Sequence, residues 1–237
     1  MRRLAHAFAR RVLGSAYPRT LTRWRRAQGA WRARRTAVYT RRFVGWHGLT
    51  VTSGPFAGLT YPDTAPLSLV PKLLGVYESE LHAAVEDAIR ARPNVIVNVG
   101  AADGYYAVGL KRRCPNARVI AYEADERQRE LLRRVAVAND AEIELRGAAG
   151  PGDLAGASLI VMDCEGCERA LLASAPDATV IVELHDFLDA RVGEIPGRFA
   201  PTHDVVLVPT APQPPARHPL SEQRPGPMRW AVMTPRR

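Results

Sequence analysis

Acidic residues and one histidine stand at the ends of three apolar runs in the sequence. Glu123 follows the run VIAY, Asp163 follows LIVM, and Glu183, His185 and Asp186 end the run VIVELHD. If these runs are parallel strands, their carboxyl ends meet at one edge of a sheet, which is where open α/β sheets bind their ligands. Carboxylates and an imidazole at such an edge can accept a proton or hold a hydroxyl group. The pattern therefore predicts a chemically active edge, provided that the elements between the runs form a sheet.

A loop of small residues follows another apolar run. The segment VIVNVGAADGYYAVG, residues 95–109, places two alanines and an aspartate between Gly100 and Gly104. The dinucleotide fingerprint G-x-G-x-x-G needs a middle glycine so that a pyrophosphate can approach the backbone, and Ala102 stands at that position. An amide residue before the first glycine, then two glycines with a small residue between them, instead resembles the first motif of class I S-adenosylmethionine-dependent methyltransferases. That cofactor has no phosphate, so it fits the loop better.

The elements between these motifs alternate regularly. Apolar runs with β-branched residues alternate with stretches that carry apolar residues at helical spacing. The predicted strands are 95–99, 118–122, 142–145, 158–162, 179–184, 204–208 and 229–233, and the predicted helices are 78–92, 105–113, 126–139 and 165–174. This order indicates an α/β fold with a Rossmann-like, doubly wound and mostly parallel sheet. No helix is predicted between the last two strands, so the last strand is expected to be antiparallel.

The N-terminal part of the chain differs from the rest in charge. Thirteen arginines fall within residues 1–42 and the first acidic residue is Asp63, so the net charge of +9 comes from this segment. Residues 1–42 are predicted to be an Arg-rich helical extension, residues 43–77 a small β appendage and linker, and residues 78–237 the α/β domain. The extension is either a solvated tail or a contact with anionic partners, and peripheral contact with an anionic membrane is the partner expected for it.

Four segments taken together resemble one known family. VNVGAADGYYAVGL, VIAYEAD, IVMDCEGCERALL and VIVELHDF occur in this order and look like the motifs of the FkbM family of methyltransferases. The most specific of them is D-x-E-G-x-E, and the family's usual Asp in the first motif is Asn98 here. The resemblance implies a class I methyltransferase domain with S-adenosylmethionine as cofactor, and methylation of a hydroxyl on a sugar, a glycan or a secondary metabolite. The residues expected to bind the cofactor are Asn98, Gly100, Ala102, Asp103, Gly104, Tyr105, Glu123 and Asp163.

The proton of an acceptor hydroxyl has to be taken up near the methyl group. The catalytic residues are therefore expected to be His185, Asp163 and Asp186. His185 is expected to take the proton, with Glu183 or Asp186 holding its ring, whereas Glu168 is expected on a helix surface. Asp163, Glu183 and Asp186 can also be considered as oxygen ligands of a divalent cation, but a site without metal is expected.

The cysteines point to a reducing compartment. Cys114, Cys164 and Cys167 are too few for a disulfide framework. Cys164 and Cys167 form a C-x-x-C pair, but a zinc site needs about four ligands and there is no second pair, so both are expected to be small buried thiols. No membrane span or signal peptide is predicted, because no apolar run is long enough and arginines interrupt the first one. A cytoplasmic, membrane-peripheral protein is the expectation.

Two other functions stay open. A nucleic-acid-binding protein or nucleic-acid methyltransferase would use the Arg-rich extension, but the expected pocket carries Asp103, Glu123 and Asp163 where such a protein carries basic residues. A nicotinamide-dependent oxidoreductase would use the same ribose-binding carboxylate with a complete glycine fingerprint. A small molecule or glycan is therefore the expected acceptor, and nucleic acid is not an expected partner.

Overall fold

The computed structural model describes most of the chain after residue 36. The described residues are 37–66, 68–174, 176–186, 188–212, 214, 218, 220–222 and 228–236. The predicted Arg-rich extension lies outside them up to residue 36, and its last residues belong to the helix α1 (37–47).

Seven strands of the described chain form one sheet. They are β1 (Val95–Val99), β2 (Arg118–Tyr122), β3 (Glu144–Arg146), β4 (Leu159–Met162), β5 (Thr179–Leu184), β6 (His203–Pro209) and β7 (Arg229–Pro235). Their order across the sheet is β3-β2-β1-β4-β5-β7-β6. Strands β1 to β5 pair in parallel, and β7 runs antiparallel to both β5 and β6. The prediction of a Rossmann-like, mostly parallel sheet with an antiparallel last strand is confirmed.

Helices cover both faces of this sheet. After α1 they are α2 (Leu69–Leu73), α3 (His82–Arg90), α4 (Tyr105–Arg113), α5 (Glu126–Ala138), α6 (Glu168–Leu171) and α7 (Ile195–Phe199). Successive side chains of a strand point to opposite faces. In β1, Ile96 accordingly packs in one apolar cluster with Leu131 of α5, and Val97 packs in a second cluster with Phe199 of α7. Both faces are therefore core, as a parallel sheet requires.

Local signals set the start of α5. The Asp125 side chain accepts hydrogen bonds from the backbone N–H groups of Arg127 and Gln128, at 2.7 and 3.2 Å. These groups have no partner inside the helix, so an N-cap carboxylate stabilises them. Asp125 is therefore the N-cap of α5.

The segment before the α/β region differs from its prediction. Residues 43–77 were expected to form a small β appendage and linker, but the only β pairing within residues 43–61 is an isolated bridge between Thr50 and Thr60. The segment packs on the core through Phe56, which is 2% exposed. A Cβ added to Gly109 of α4 would lie 2.4 Å from the Phe56 ring, so this glycine makes room for the ring. The boundary proposed between residues 43–77 and 78–237 stays a prediction.

The helix after β4 is shorter than its periodicity predicts. It was expected over 165–174 and extends only from Glu168 to Leu171. Glu165 and Gly166 have φ angles of 50° and 122°, which lie outside the right-handed helical region. A loop therefore replaces the predicted first turn. None of the helices in the described residues has the length and hydrophobicity that a membrane crossing requires.

Candidate active site

The glycine at the end of β1 allows two strand ends to meet. Gly100 has a φ of 74°, and a Cβ added there would lie 1.7 Å from the carbonyl oxygen of Asp163. Its N–H and that of Ala101 both donate to the carbonyl oxygen of Tyr122, at 2.9 and 3.0 Å. The small residue is therefore required first by the protein's own backbone, which brings the ends of β1, β2 and β4 together.

A glycine is required at position 104 for a different reason. Its φ is 90° at the N-terminus of α4, and a Cβ there would lie 2.9 Å from Cγ of Leu132 in α5. It permits a helix to pack closely on another helix. A large substitution at this position would disturb packing whether or not a cofactor binds.

A cavity of about 370 Å³ opens at the carboxyl ends of β1, β2 and β4. It is lined by Val99, Gly100, Ala102, Tyr122, Glu123, Ala124, Ala148, Ala149, Asp163, Cys164, Glu165 and Cys167. Its volume lies within the range of small-molecule sites. Of the residues predicted to bind the cofactor, Gly100, Ala102, Glu123 and Asp163 are in this lining. The other four are not.

Glu123 is held by the backbone at the wall of this cavity. One carboxylate oxygen accepts a hydrogen bond from the N–H of Ala102 and the other from the N–H of Asp125, both at 2.8 Å. A carboxylate offers about four lone-pair sites. Two protein bonds fix its position and leave capacity for two hydroxyl groups of a ligand, which is the requirement of a ribose.

Asp103 is committed to a buried ion pair. It lies 2.5 Å from Nζ of Lys72, and both side chains are less than 7% exposed. Its other oxygen accepts the N–H of Tyr105 at the start of α4, at 3.2 Å. Lys72 also lies 4.9 Å from the ring centroid of Tyr77. Asp103 therefore neutralises a buried lysine and occupies the N-terminus of α4, a role that the sequence did not predict.

Asn98 and Tyr105 belong to the packed face behind the loop. Asn98 is 2% exposed and donates to the carbonyl oxygen of Val161 at 3.1 Å. Tyr105 packs edge to face on Phe56 and Tyr77, with ring centroids 5.0 and 5.2 Å apart. Neither side chain lines the cavity, so both support the loop from behind.

Four residues from β4, α6 and β5 converge beside the cavity. Nδ1 of His185 lies 2.6 Å from Oε1 of Glu168, and Nε2 of His185 lies 3.4 Å from both Asp163 and Glu183. Glu168 is completely buried, so its predicted position on a helix surface is wrong. The structure thus brings together Asp163, Glu183 and His185 as expected, and adds Glu168 as the residue that orients the ring.

Asp186 lies outside this group. Its two carboxylate oxygens accept hydrogen bonds from Arg229, at 2.8 and 3.0 Å. It therefore pairs with β7, and the structure does not support the prediction that it holds the ring of His185.

The buried charges raise two pKa values. Burial disfavours the charged ring of His185, but the hydrogen bond to Glu168 and the nearby carboxylates of Glu183 and Asp163 outweigh it and raise the pKa of His185 to about 10. Burial, followed by the charges of Glu183 and Glu78, raises the pKa of Asp163 well above its usual range. In this arrangement the ring is protonated near neutral pH and its Nδ1–H donates to Glu168, so the structure does not support the expectation that His185 takes the acceptor proton.

A segment before α3 completes the surroundings of Asp163. Glu78 is 3% exposed, and its carboxylate accepts a hydrogen bond from the hydroxyl of Tyr106. Its backbone N–H donates to Glu222 at 2.9 Å. The pKa of Tyr77 is raised by burial and then by the charges of Glu78 and Asp163. Sequence patterns gave no signal for these contacts, because the segment precedes the recognised motifs.

The C-x-x-C pair is oxidised in the structure. Cys164 and Cys167 form a disulfide, and both residues are half-buried in the cavity wall. The expectation of two buried thiols is therefore wrong. These positions lie in the loop between β4 and α6, where the backbone bends towards the cavity.

Among known proteins, the similarities found to this chain are to solved structures. No protein-family model matches the sequence, and no curated protein matches it significantly. The O-methyltransferase TomG of Streptomyces achromogenes, solved with SAM, is 16% identical, with 69% of this chain and 83% of that chain covered and a TM-score of 0.47. An O-methyltransferase of Bacillus cereus, solved with SAH, is 18% identical, with 63% and 78% covered and a TM-score of 0.42. A precorrin-6y C5,15-methyltransferase of Geobacter metallireducens is 13% identical, with 64% and 87% covered and a TM-score of 0.46.

Proposed function

We propose that the protein is an S-adenosylmethionine-dependent methyltransferase that methylates a hydroxyl group of a sugar, a glycan or a secondary metabolite. The observation that carries the proposal is the position of Asp103. A dinucleotide places its pyrophosphate on the N-terminus of the helix after β1. Here the N–H of Tyr105 at that N-terminus already donates to the Asp103 carboxylate, so a pyrophosphate would have to compete with a side chain of the protein itself.

The charge of the cavity supports the same cofactor. Glu123, Asp163 and Glu165 line it, and no lysine or arginine is in its lining within the described chain. A sulfonium cation is stabilised by such carboxylates, whereas a pyrophosphate is repelled. Glu123 would bind the ribose hydroxyls, and the backbone at Gly100 and Ala102 would contact the remainder of the cofactor.

The reaction needs alignment and one proton acceptor. S-adenosylmethionine, held by Glu123 and by the backbone at Gly100 and Ala102, would supply the methyl group to the acceptor oxygen, and its sulfur would leave as a neutral thioether. Asp163 lines the cavity and its side chain is 38% exposed, so an acceptor hydroxyl would reach it and pass its proton to the Asp163 carboxylate. Glu168 holds His185 in place, and holding the groups in line accounts for much of the rate.

The acceptor class rests on the family resemblance together with the carboxylates around Asp163. A nucleic acid is not favoured, because its phosphates would meet the carboxylates of Glu123, Asp163 and Glu165 in the cavity wall. Peripheral contact with an anionic membrane through residues 1–36 is part of the proposal and is independent of the cavity.

Calorimetric titration of the protein with S-adenosylhomocysteine, S-adenosylmethionine and NAD tests the cofactor. Glu123→Gln should weaken binding of S-adenosylhomocysteine about tenfold or more, because a charged hydrogen-bond acceptor is lost. Glu130→Gln is the matched control, since Glu130 is an exposed residue of α5 that pairs with Arg133. This variant should bind S-adenosylhomocysteine with the affinity of the parent. Binding of NAD without binding of S-adenosylhomocysteine would overturn the proposal. Equal affinities in parent and Glu123→Gln would remove Glu123 from the cofactor site.

A further inference from the structure

We propose that Asp163, Glu183 and His185 form a binding site for a divalent transition-metal cation. Each residue offers one ligand atom, and the three atoms lie within 4.8 Å of one another. The proposal concerns the cluster itself and does not rest on methyl transfer.

The distances within the cluster suit a shared cation. Nε2 of His185 is 3.4 Å from an oxygen of Asp163 and 3.4 Å from an oxygen of Glu183. These separations exceed the usual length of a direct N–H···O bond. Two ligands about 2.1 Å from a tetrahedral metal ion are about 3.4 Å apart. Two of the three edges of the cluster therefore have the length found in such a site, and the three ligand atoms all lie within 4.8 Å of one another.

The orientation of the histidine ring points to the same conclusion. Nδ1 of His185 is 2.6 Å from Oε1 of the buried Glu168, which turns Nε2 towards Asp163 and Glu183. Metal-binding histidines commonly have this arrangement, in which a carboxylate on one ring nitrogen fixes the ring so that the other nitrogen binds the metal. Glu168 is therefore a positioning residue for the proposed ligand.

Glu183 supplies an independent observation. It is 3% exposed, and its Oε1 is a buried atom without a hydrogen-bond partner among the described residues. A buried carboxylate oxygen without a hydrogen bond is costly. Glu183, Asp163 and Glu168 together bring three carboxylates to a single imidazole, and a divalent cation would offset this excess of negative charge.

The ligand set indicates the kind of cation. An imidazole with carboxylates suits zinc, manganese or cobalt, whereas magnesium and calcium prefer oxygen ligands throughout. Asp163 also lines the cavity, so the cation would lie at its edge. Three protein ligands would leave one position for water or for an acceptor oxygen, as in catalytic zinc sites.

The test is calorimetric titration of chelator-treated protein, without cofactor, with zinc and with magnesium in parallel. Zinc is expected to bind at one site per chain, and magnesium much more weakly. Cobalt in place of zinc should give the visible absorption of a four- or five-coordinate ion. The absence of a single zinc site, or equal binding of magnesium, would overturn the proposal.

Variants locate the site. Glu183→Gln and His185→Gln should each weaken zinc binding about 100-fold, and Glu168→Gln about 10–100-fold, as for other positioning partners of metal ligands. Asp163→Asn is included because the Asp163 side chain is the most exposed of the three proposed ligands, so the variant protein should still fold. This variant should weaken zinc binding about tenfold or more. Circular dichroism checks the folding of each variant.

Two controls exclude other zinc ligands. Asp186→Asn changes a neighbouring carboxylate that pairs with Arg229, and it should bind zinc like the parent. The double variant Cys164→Ser and Cys167→Ser should do the same. Zinc binding that is lost in the cysteine variant, or retained in folded Asp163→Asn, would overturn the assignment. The titrations contain no S-adenosylmethionine, so their result is distinguishable from failure of the proposed methyl transfer.

Discussion

Gly100 shows how one missing side chain holds the site together. Its Cα hydrogen faces the carbonyl oxygen of Asp163, so the residue that begins the loop after β1 also fixes the end of β4. The positive φ of Gly100 and its contact with the carbonyl oxygen of Asp163 each disfavour a larger residue. The effect of the contact can be separated from that of the conformation.

Gly100→Ala is expected to lower the free energy of unfolding by about 3 kcal/mol or more, because it adds a backbone clash to the cost of a positive φ. Gly152→Ala is the matched control. Gly152 has a φ of 92° and no atom within 4 Å of the added Cβ, so its cost should be about 1 kcal/mol. Urea unfolding of both variants is the measurement, and equal losses would show that the strand contact contributes nothing.

The ion pair of Lys72 and Asp103 makes a second prediction at the residue scale. Lys72→Met should cost about 3–5 kcal/mol of stability, since it leaves a buried carboxylate without its partner. Adding Asp103→Asn should recover part of the loss, because asparagine can still accept the N–H of Tyr105. Arg90→Met provides the comparison, since the Arg90–Asp87 pair is about 70% exposed and should cost less than about 1 kcal/mol. Denaturant unfolding measures all three, and a small loss for Lys72→Met would contradict the buried pair.

At the scale of elements, the start of α5 connects helix stability to the cavity wall. Asp125 caps the helix, and its own N–H donates to Glu123. The residue that caps the helix therefore also positions the Glu123 carboxylate in the cavity wall.

Asp125→Ala is expected to cost about 1 kcal/mol of unfolding free energy, because two backbone N–H groups lose their acceptor. Asp125→Asn should retain most of the stability, since asparagine caps helices about as well as aspartate. Thermal unfolding of the two variants gives the comparison. If Asn and Ala lost the same amount, the cap would not be the stabilising contact.

The elements that were predicted correctly are those whose signal is local. The strands β1, β2 and β5 and the helix α4 have the bounds that their apolar patterns indicate. The helix α6 does not, because the left-handed backbone at Glu165 and Gly166 delays its start. The spacing of apolar residues predicts which face of a helix would be buried. It carries no information about a loop conformation that prevents the first turn of that helix.

At the scale of the whole molecule, the charge is divided between two parts. The arginines of residues 1–42 outnumber the net charge of +9, so the remainder of the chain is acidic. The cavity has this acidic character, with Glu123, Asp163 and Glu165 in its wall. The basic segment and the cavity therefore suit different partners.

Deleting residues 1–36 is expected to reduce retention on anionic vesicles, with a contribution of up to about 1 kcal/mol per arginine near the lipid surface. The deletion stops before α1 because Thr40 is buried and Phe43 packs on the core. Affinity for S-adenosylhomocysteine should be unchanged within a few-fold. Vesicle sedimentation at low and high salt, with neutral vesicles as the control, gives the measurement; equal retention of both chains on anionic vesicles would exclude a membrane role for the segment.

The sequence by itself determined the order of the elements, the loop after β1 and the carboxylate after β2. These depend on neighbouring residues: apolar alternation sets a strand, a glycine permits a positive φ, and Asp125 caps the helix that follows it. Glu123 could be placed because the carboxyl ends of parallel strands share one edge.

The tertiary structure alone decided which of the chemically active residues meet. Lys72 reaches Asp103 across 31 positions, and Glu168 reaches His185 across 17. Asp186 stands next to His185 in the sequence, yet it turns to Arg229. The direction of a side chain beyond a strand end depends on the backbone of the loop and on the charges that burial brings near it. Residues adjacent in the sequence determine neither the loop backbone nor the charges that lie near it in the fold. The partner of each buried charge was therefore decided only by the tertiary structure.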